Sequence, residues 1–262
     1  MNKIVFLNAA SINFDHELDF TSLKNIGTFT MYDESQHDEI LKNVANQNVI
    51  ITKEIPLSKE LIDQFPSSVK LICEAGTGYN NIDLQAATNK GIRVCNIPGY
   101  STEAVAQLAI TLMLNLSSSI VQQQKMIERK DFSNFTNHLQ VPHFELQNKT
   151  LGLIGTGEIG QQVIKIARAL GMDVLTYSRT PKKFDDPRVK SASLDDLLKQ
   201  SDFVSIHCPL TDETKHLIDI NKLKLMKPTA FIINTARGAI IKETDLIDAL
   251  QKGIIAGAGL DV

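Results

Sequence analysis

The chain has no excess of either charge. Its 262 residues carry 27 Lys and Arg against 30 Asp and Glu, a formal net charge of −3. That balance gives no electrostatic footprint for nucleic acid or for an anionic membrane surface. Long apolar runs are also missing. The longest, Ala104 to Leu116, is broken by Gln107, Thr111 and Asn115 and falls short of the roughly 20 residues a bilayer demands. The N-terminal MNKIVFLNAA has an apolar core of only a few residues and runs straight into SINFDHELDF. It therefore reads as a first β-strand rather than a signal peptide. Cysteine is scarce: Cys73, Cys95 and Cys208 are an odd number without C-x-x-C spacing. Each falls in or beside an expected strand, which reads as reduced core thiols in a cytoplasmic protein. No metal site, internal repeat or low-complexity segment is expected.

What the chain does have is an ordinary globular composition, 43% hydrophobic and 22% charged, at a length suited to two modest domains or one large one. One stretch organises the rest. Leu151 to Ile154 is a short apolar run of the kind that forms a buried parallel strand. Gly155-Thr156-Gly157-Glu158-Ile159-Gly160 follows at once and leads into an amphipathic segment ending at Gly171. A G-x-G-x-x-G between strand and helix is a dinucleotide fingerprint. The first glycine permits a tight turn, the second lets backbone approach a pyrophosphate, and the third lets helix and strand pack closely.

Around it, strands alternate with helices, which implies parallel sheets. Before the fingerprint, strands are expected at Lys3–Leu7, Thr28–Met31, Asn48–Ile51, Val69–Cys73 and Ile92–Cys95. Helices are expected at Gln36–Asn46, at a short segment between Ser58 and Pro66, and at a segment closed by Gly91. Asn96-Ile97-Pro98-Gly99-Tyr100 is turn chemistry and a hinge. Ser101 or Thr102 then caps a helix apolar nearly all round, and expected for that reason to be buried, between domains or between subunits. Gln122 to Gln147 reads as polar and irregular, with Phe132, Phe135 and Phe144 either forming an arm onto a second subunit or folding back on their own domain. Beyond the fingerprint, strands are expected at Asp173–Tyr177, Phe203–His207, Ala230–Asn234 and Ala258–Val262. Helices are expected from Ser193, with a capping-box-like Asp196, to Lys199 and over Glu243–Gln251. The residues thus describe two Rossmann-like parallel-sheet domains of the α/β class, 1–98 and 99–262.

At the end of the strand after the fingerprint, where an NAD site places an acidic residue, the sequence has Ser178, then Arg179 and Thr180, with Lys182 and Lys183 close behind. These can neutralise and hydrogen-bond a 2′-phosphate, so NADP(H) is favoured over NAD(H). His16, His37, His138, His143 and His216 read as solvated surface residues.

Four separated stretches, EAGTGYNNID, NIPGYSTEAVAQLAITLMLNL, LGLIGTGEIG and FIINTARGAIIKETDLIDALQKGIIAGAGLDV, together resemble the D-isomer-specific 2-hydroxyacid dehydrogenases, as does SDFVSIHCPLTDETKHLI. The resemblance spans essentially the whole chain and is nearest the glycerate dehydrogenase, hydroxypyruvate and glyoxylate reductase branch. It implies NAD(P)-dependent interconversion of a 2-keto acid and a D-2-hydroxy acid, with the nucleotide domain inserted into a smaller flavodoxin-like substrate domain, and a homodimer. Arg237 in NTARG then holds the substrate carboxylate and polarises the keto oxygen, a task suited to a fixed, bidentate guanidinium. Thr77 and Gly78 meet the carboxylate through backbone N–H groups, and Thr77 lies near the nicotinamide. Asp261 in GLDV binds the carboxamide. His207, Cys208, Pro209 and Thr214 run past the adenosine side, which makes His207 a cofactor-lining residue rather than a general acid. Thr235, Ala236 and Arg237 also line the cofactor.

The resemblance further implies a proton-donating histidine with a partner glutamate, and spacing puts both beyond Val262. The chain is therefore expected to end inside a strand, exposing a sheet edge, without the return to the substrate domain. A catalytically silent nicotinamide-binding protein of the corepressor kind, or a formate or phosphite dehydrogenase relative, are the alternatives.

Overall fold

The structure, a computed structural model, describes residues 2–180 and 182–262. Two compact units are present, Met1–Tyr100 and Ser101–Val262. In the first, the elements run β1 (Asn2–Phe6), α1 (Thr21–Ile26), β2 (Gly27–Met31), α2 (Ile40–Asn43), β3 (Val49–Thr52), α3 (Lys59–Ile62), β4 (Leu71–Glu74), α4 (Leu84–Asn89) and β5 (Arg93–Cys95). The strands form one all-parallel sheet in the order β2-β1-β3-β4-β5. Period-two alternation feeds a core on each face. Val5 and Leu7 enter the cluster with Ile50, Ile72 and the helix residues Leu61, Ile62, Ala86 and Ala87. Ile4 and Phe6 enter the other, where Phe20 packs edge-on to Phe6.

The second unit runs α5 (Thr102–Ser118), α6 (Ile120–Glu128), α7 (Ser133–Thr136), β6 (Thr150–Ile154), α8 (Glu158–Ala169), β7 (Asp173–Tyr177), β8 (Val189–Ser191), α9 (Leu194–Gln200), β9 (Phe203–Ile206), α10 (Ile220–Leu223), β10 (Phe231–Asn234), α11 (Glu243–Gln251) and β11 (Gly257–Leu260). Its parallel sheet has the order β11-β10-β9-β6-β7-β8, the doubly wound arrangement in which the winding direction reverses between β6 and β9. Helices α5 and α8 bury Ala106, Ala109, Met113, Val163 and Ala167 against one face of the sheet. Helices α9, α10 and α11 bury Leu197, Leu198, Leu223, Leu246 and Ala249 against the other. The expected cap of α9 forms: Ser193 Oγ accepts from the Asp196 N–H at 3.1 Å.

Several expectations need correction. The helix read over Gln36–Asn46 shrinks to four residues, because 36–39 is a turn in which Glu39 Oε2 accepts from the Gln36 N–H. Asn46 then adopts a left-handed φ of 59°. The stretch read as irregular contains α6 and α7, of which α6 buries no residue. Ser101 precedes α5 without a side-chain capping bond. Helix α5 is not buried all round: Glu103, Gln107, Thr111 and Leu114 are exposed. The phenylalanines divide: Phe144 stacks on Phe231 inside its own unit, whereas Phe132 and Phe135 are exposed. Of the three free thiols, Cys73 and Cys208 are partly buried and pack against the cores, whereas Cys95 is exposed on the edge strand β5. Among the described residues no single helix is long and apolar enough to cross a membrane; α5 and α6 reach that length only together, across a 58° bend.

Candidate functional site

Strand register sets the geometry of the nucleotide unit. Leu260, Asn234, Ile206, Ile154 and Tyr177 are paired in one row across β11, β10, β9, β6 and β7. The next residue on each strand is Asp261, Thr235, His207, Gly155 and Ser178. Residues spread over more than a hundred positions of sequence therefore emerge at one level, at the carboxyl ends of parallel strands, where open α/β sheets bind ligands.

The fingerprint shows three different glycine environments. Gly155 has φ +99°, and a Cβ there would lie 2.7 Å from the His207 carbonyl and the Cys208 nitrogen. At Gly160 a Cβ would stand 2.2 Å from Gly155 O, so α8 approaches β6 too closely for any side chain. Around Gly157 a Cβ would meet nothing within 4 Å. Two glycines are thus required by packing, and the third faces open space at the N-terminus of a 12-residue helix, where Glu158 and Ile159 begin the first turn. The N–H groups of a first helical turn lack intrahelical acceptors and favour an anion.

Ser178 is partly buried, and Arg179 and Thr180 are exposed. The Ser178 hydroxyl accepts from Thr156 Oγ1 at 3.1 Å and donates to Thr180 O at 2.8 Å. Thr156, overlooked in the sequence, therefore locks the fingerprint loop to the end of β7. At the end of β9, His207 Nε2 and Ser205 Oγ are 2.8 Å apart. Burial pushes the His207 imidazole down to about 4, so it is neutral near pH 7. Burial also pushes the Cys208 thiol up to about 11. Thr214 Oγ1 donates to Pro209 O at 2.7 Å, a bond that shapes the loop rather than leaving the hydroxyl outward.

Arg237 is partly buried at the end of the β10 turn, its Nη1 donating to Ala236 O at 2.7 Å. Asn234 builds that turn: its Oδ1 accepts from the Ala236 N–H and its Nδ2 donates to Arg237 O. Asp261 is exposed beside it, its N–H donating to Asn234 O at 3.1 Å. In the first unit, Thr77 and Gly78 lie on the loop after β4, both partly exposed. Thr77 is held by Asn96 Nδ2, which donates to its carbonyl at 2.7 Å, and by its own hydroxyl, which donates to Ile97 O. The other five histidines are exposed.

Residues 110–262 match the family described as D-isomer specific 2-hydroxyacid dehydrogenase, NAD binding domain. The chain belongs to the D-isomer-specific 2-hydroxyacid dehydrogenases. It is similar to a glyoxylate reductase of Thermococcus litoralis, 41% identical over 85% of this chain and 69% of the relative. It is also similar to a hydroxypyruvate reductase of Blautia hydrogenotrophica, 34% identical over 99% and 82% of the two chains. A solved acyclic imino acid reductase (Bsp5) in complex with NADPH and D-Arg superposes with a TM-score of 0.89 at 28% identity, covering 99% of this chain and 82% of the other. This dehydrogenase is accordingly an NAD(P)-dependent oxidoreductase of the glyoxylate and hydroxypyruvate reductase branch.

The strand ends of the dehydrogenase suit a nicotinamide dinucleotide. The open space at Gly157 fits an approaching pyrophosphate. Thr235 Oγ1, in the same row of strand ends, is buried without a protein hydrogen-bond partner.

Proposed function

We propose that this dehydrogenase reduces a small 2-keto acid of the glyoxylate or hydroxypyruvate kind to the D-2-hydroxy acid, and prefers NADPH to NADH. The observation that supports the reading is the single row of strand ends, which sets Asp261 and Thr235, two residues before Arg237, level with Gly155 of the fingerprint loop. Bound there, the dihydronicotinamide supplies the hydride. Gly155, Gly157, Glu158, Ile159 and Gly160 hold the pyrophosphate, and His207, Cys208, Pro209 and Thr214 line the adenosine side. Thr235, Ala236 and Asp261 hold the nicotinamide end. Arg237 binds the substrate carboxylate and draws charge onto the keto oxygen, while the Thr77 and Gly78 N–H groups orient the same carboxylate. His207 binds and does not donate the proton, since an imidazole pushed down to about 4 carries none to give near pH 7.

The cofactor preference is supported by the Ser178-Arg179-Thr180 turn, which offers a cation and no carboxylate. Residues 1–98 act as the substrate domain and 99–262 as the nucleotide domain. The exposed Leu114, Ile120, Val121, Ile127, Phe132 and Phe135 of the α5–α7 region support a homodimer through that surface. The test follows NADPH absorbance at about 340 nm, a property of the cofactor, with glyoxylate, hydroxypyruvate and phenylpyruvate. Turnover of the first two is expected of protein that carries the proton-donating histidine and its glutamate, which the resemblance puts beyond Val262; residues 1–262 alone are expected to bind NADPH without turnover. No turnover of any keto acid by protein that carries both would overturn the reading, and a monomer in sedimentation would overturn the dimer.

A further inference from the structure

A carboxylate lies fully buried behind the loop that carries Thr77 and Gly78. Glu74 ends β4 and is 0% exposed. Taking a carboxylate out of water is costly unless donors meet its oxygens. Here they do: Oε1 accepts from the Glu54 N–H at 2.9 Å and Oε2 accepts from Asn81 Nδ2 at 2.9 Å. Desolvation pushes the Glu74 carboxyl above its ordinary range, opposed by the bonds from Asn81 and the Glu54 N–H and by the Lys53 ammonium. A well-packed apolar side chain at such a position is often as stabilising as a buried charge. Sheet stability therefore does not explain Glu74.

What the carboxylate joins does explain it. Asn81 closes the loop, and its Nδ2 also donates to Ile55 O at 2.9 Å. Glu54 has φ +60°, a left-handed conformation that non-glycine residues seldom adopt. Glu74 holds the N–H of that strained residue, and the Asn8 amide grips Lys53 before it, accepting from its N–H and donating to its carbonyl. On the other side the Ile97 N–H donates to Gly76 O, alongside the Asn96 and Thr77 bonds already described. The loop is clamped from two sides through the Gly76 and Thr77 carbonyls, the Thr77 hydroxyl and Asn81. Among the described residues, no protein acceptor meets the Thr77 or Gly78 N–H.

We propose that Glu74 is the positioning residue of this loop: its carboxylate bridges the Glu54 N–H and Asn81 Nδ2, so that the Thr77 and Gly78 N–H groups are held facing the substrate carboxylate. The proposal rests on the keto-acid reading above. It also makes a signed statement. A negative charge behind an anion site repels the anion, so removing it would tighten substrate binding if charge governed the site. If positioning governs, removing it weakens binding.

Glu74→Gln keeps size and shape but turns an N–H toward one of the two donors. Asn81→Asp sets two acids against each other. In the double variant the new glutamine can donate to the new aspartate and still accept from the Glu54 N–H. Steady-state kinetics with glyoxylate and hydroxypyruvate, plus amide resonances of Thr77 and Gly78 in labelled protein, separate the outcomes. Glu74→Gln is expected to raise the keto-acid KM about tenfold, the scale of one lost charge-assisted hydrogen bond. kcat should stay within about threefold and the NADPH KM should not move; the double variant should recover part of the loss, since Ile55 O still lacks the donor that Asn81 gave it. An unchanged or lowered keto-acid KM with unmoved Thr77 and Gly78 resonances would overturn the proposal. If wild-type protein that carries the proton-donating histidine and its glutamate turns over no keto acid, the functional reading fails by itself. The resonances then decide Glu74: displacement in both single variants, smaller in the double than in Asn81→Asp alone, supports it, and no displacement in Glu74→Gln rejects it.

Discussion

Gly157 and Gly160 sit three residues apart and make opposite demands, which gives a sharp test of the cofactor cradle. A methyl group at residue 160 would stand 2.2 Å from Gly155 O and 3.1 Å from Leu153 Cδ2. The first contact is to backbone and cannot rotate away, so overpacking of about 1–3 kcal/mol follows. Better helix propensity, roughly 1 kcal/mol for Ala over Gly, offsets only part. Gly160→Ala should therefore lower the melting temperature, by about 2–4 °C for each kcal/mol of net loss. A methyl group at residue 157 meets nothing within 4 Å. The backbone there, φ −66° and ψ −167°, suits any residue. Gly157→Ala should melt within about 2 °C of wild type, since small capping and unfolded-state effects nearly cancel. Its methyl group would enter the open space proposed for the pyrophosphate, so NADPH affinity should fall at least about tenfold, the scale of 1.4 kcal/mol. Thermal melts with and without NADPH read both effects: at a hundred times Kd the wild type gains about 2.7 kcal/mol, and Gly157→Ala should lose about half of that or more. A Gly157→Ala protein with wild-type Kd and thermal shift would refute the assignment of this loop to the pyrophosphate.

Three further outcomes follow from the same geometry. Arg179→Ala should weaken NADPH binding about tenfold and leave NADH binding unchanged, measured by nucleotide fluorescence titration; equal effects on both would remove the basis for the preference. Arg237→Lys replaces a planar fork by a point charge, so kcat/KM for glyoxylate should fall about a hundredfold while the NADPH Kd stays constant; a variant that loses cofactor binding instead would move Arg237 out of the substrate role. His207 takes up a proton near pH 6.5 when unfolded but only near 4 when folded. Stability contributed by the neutral form is intact above about 6.5 and is lost as pH falls toward 4, by about 3 kcal/mol in all. Denaturant unfolding of His207→Asn should show a shallower decline across that window, and an unchanged slope would show that other groups carry it.

How far the sequence reaches depends on how much a segment buries. Strand Asp173–Tyr177 and helix Glu243–Gln251 emerge at the residues read from their periodicity. The Ser193 cap is legible because one hydroxyl and one N–H three residues on make it. Helix α6 buries no side chain within its own unit, and the glutamine run of IVQQQKMIE interrupts its apolar residues, so periodicity does not announce it. Strand β8 and helix α10 span three and four residues, too short for any period to register. The site divides in the same way. The fingerprint is local and reads directly. Thr156, Asn234 and Glu74 act on partners that only strand pairing or loop closure brings near, 22, 3 and 7 residues away for the bonds that matter. Even the short-range case of Asn234 depends on a turn whose shape the sequence does not announce.

That distinction changes how the cofactor preference works. From sequence, Ser178 stands where an NAD site carries its acid, and so looks like the hydroxyl that meets a 2′-phosphate. In the fold its hydroxyl both accepts from Thr156 and donates to Thr180 O. Its remaining capacity is one acceptor lone pair, which a phosphate oxygen cannot use. The complement to a 2′-phosphate then falls to exposed cations, Arg179 first and Lys182 and Lys183 behind it. Exposed charges attract through a screened field, whereas a buried hydrogen bond would be nearly indifferent to salt. The proposed preference for NADPH over NADH would therefore be electrostatic in origin. It should be strongest at low ionic strength and narrow as salt shortens the reach of Arg179.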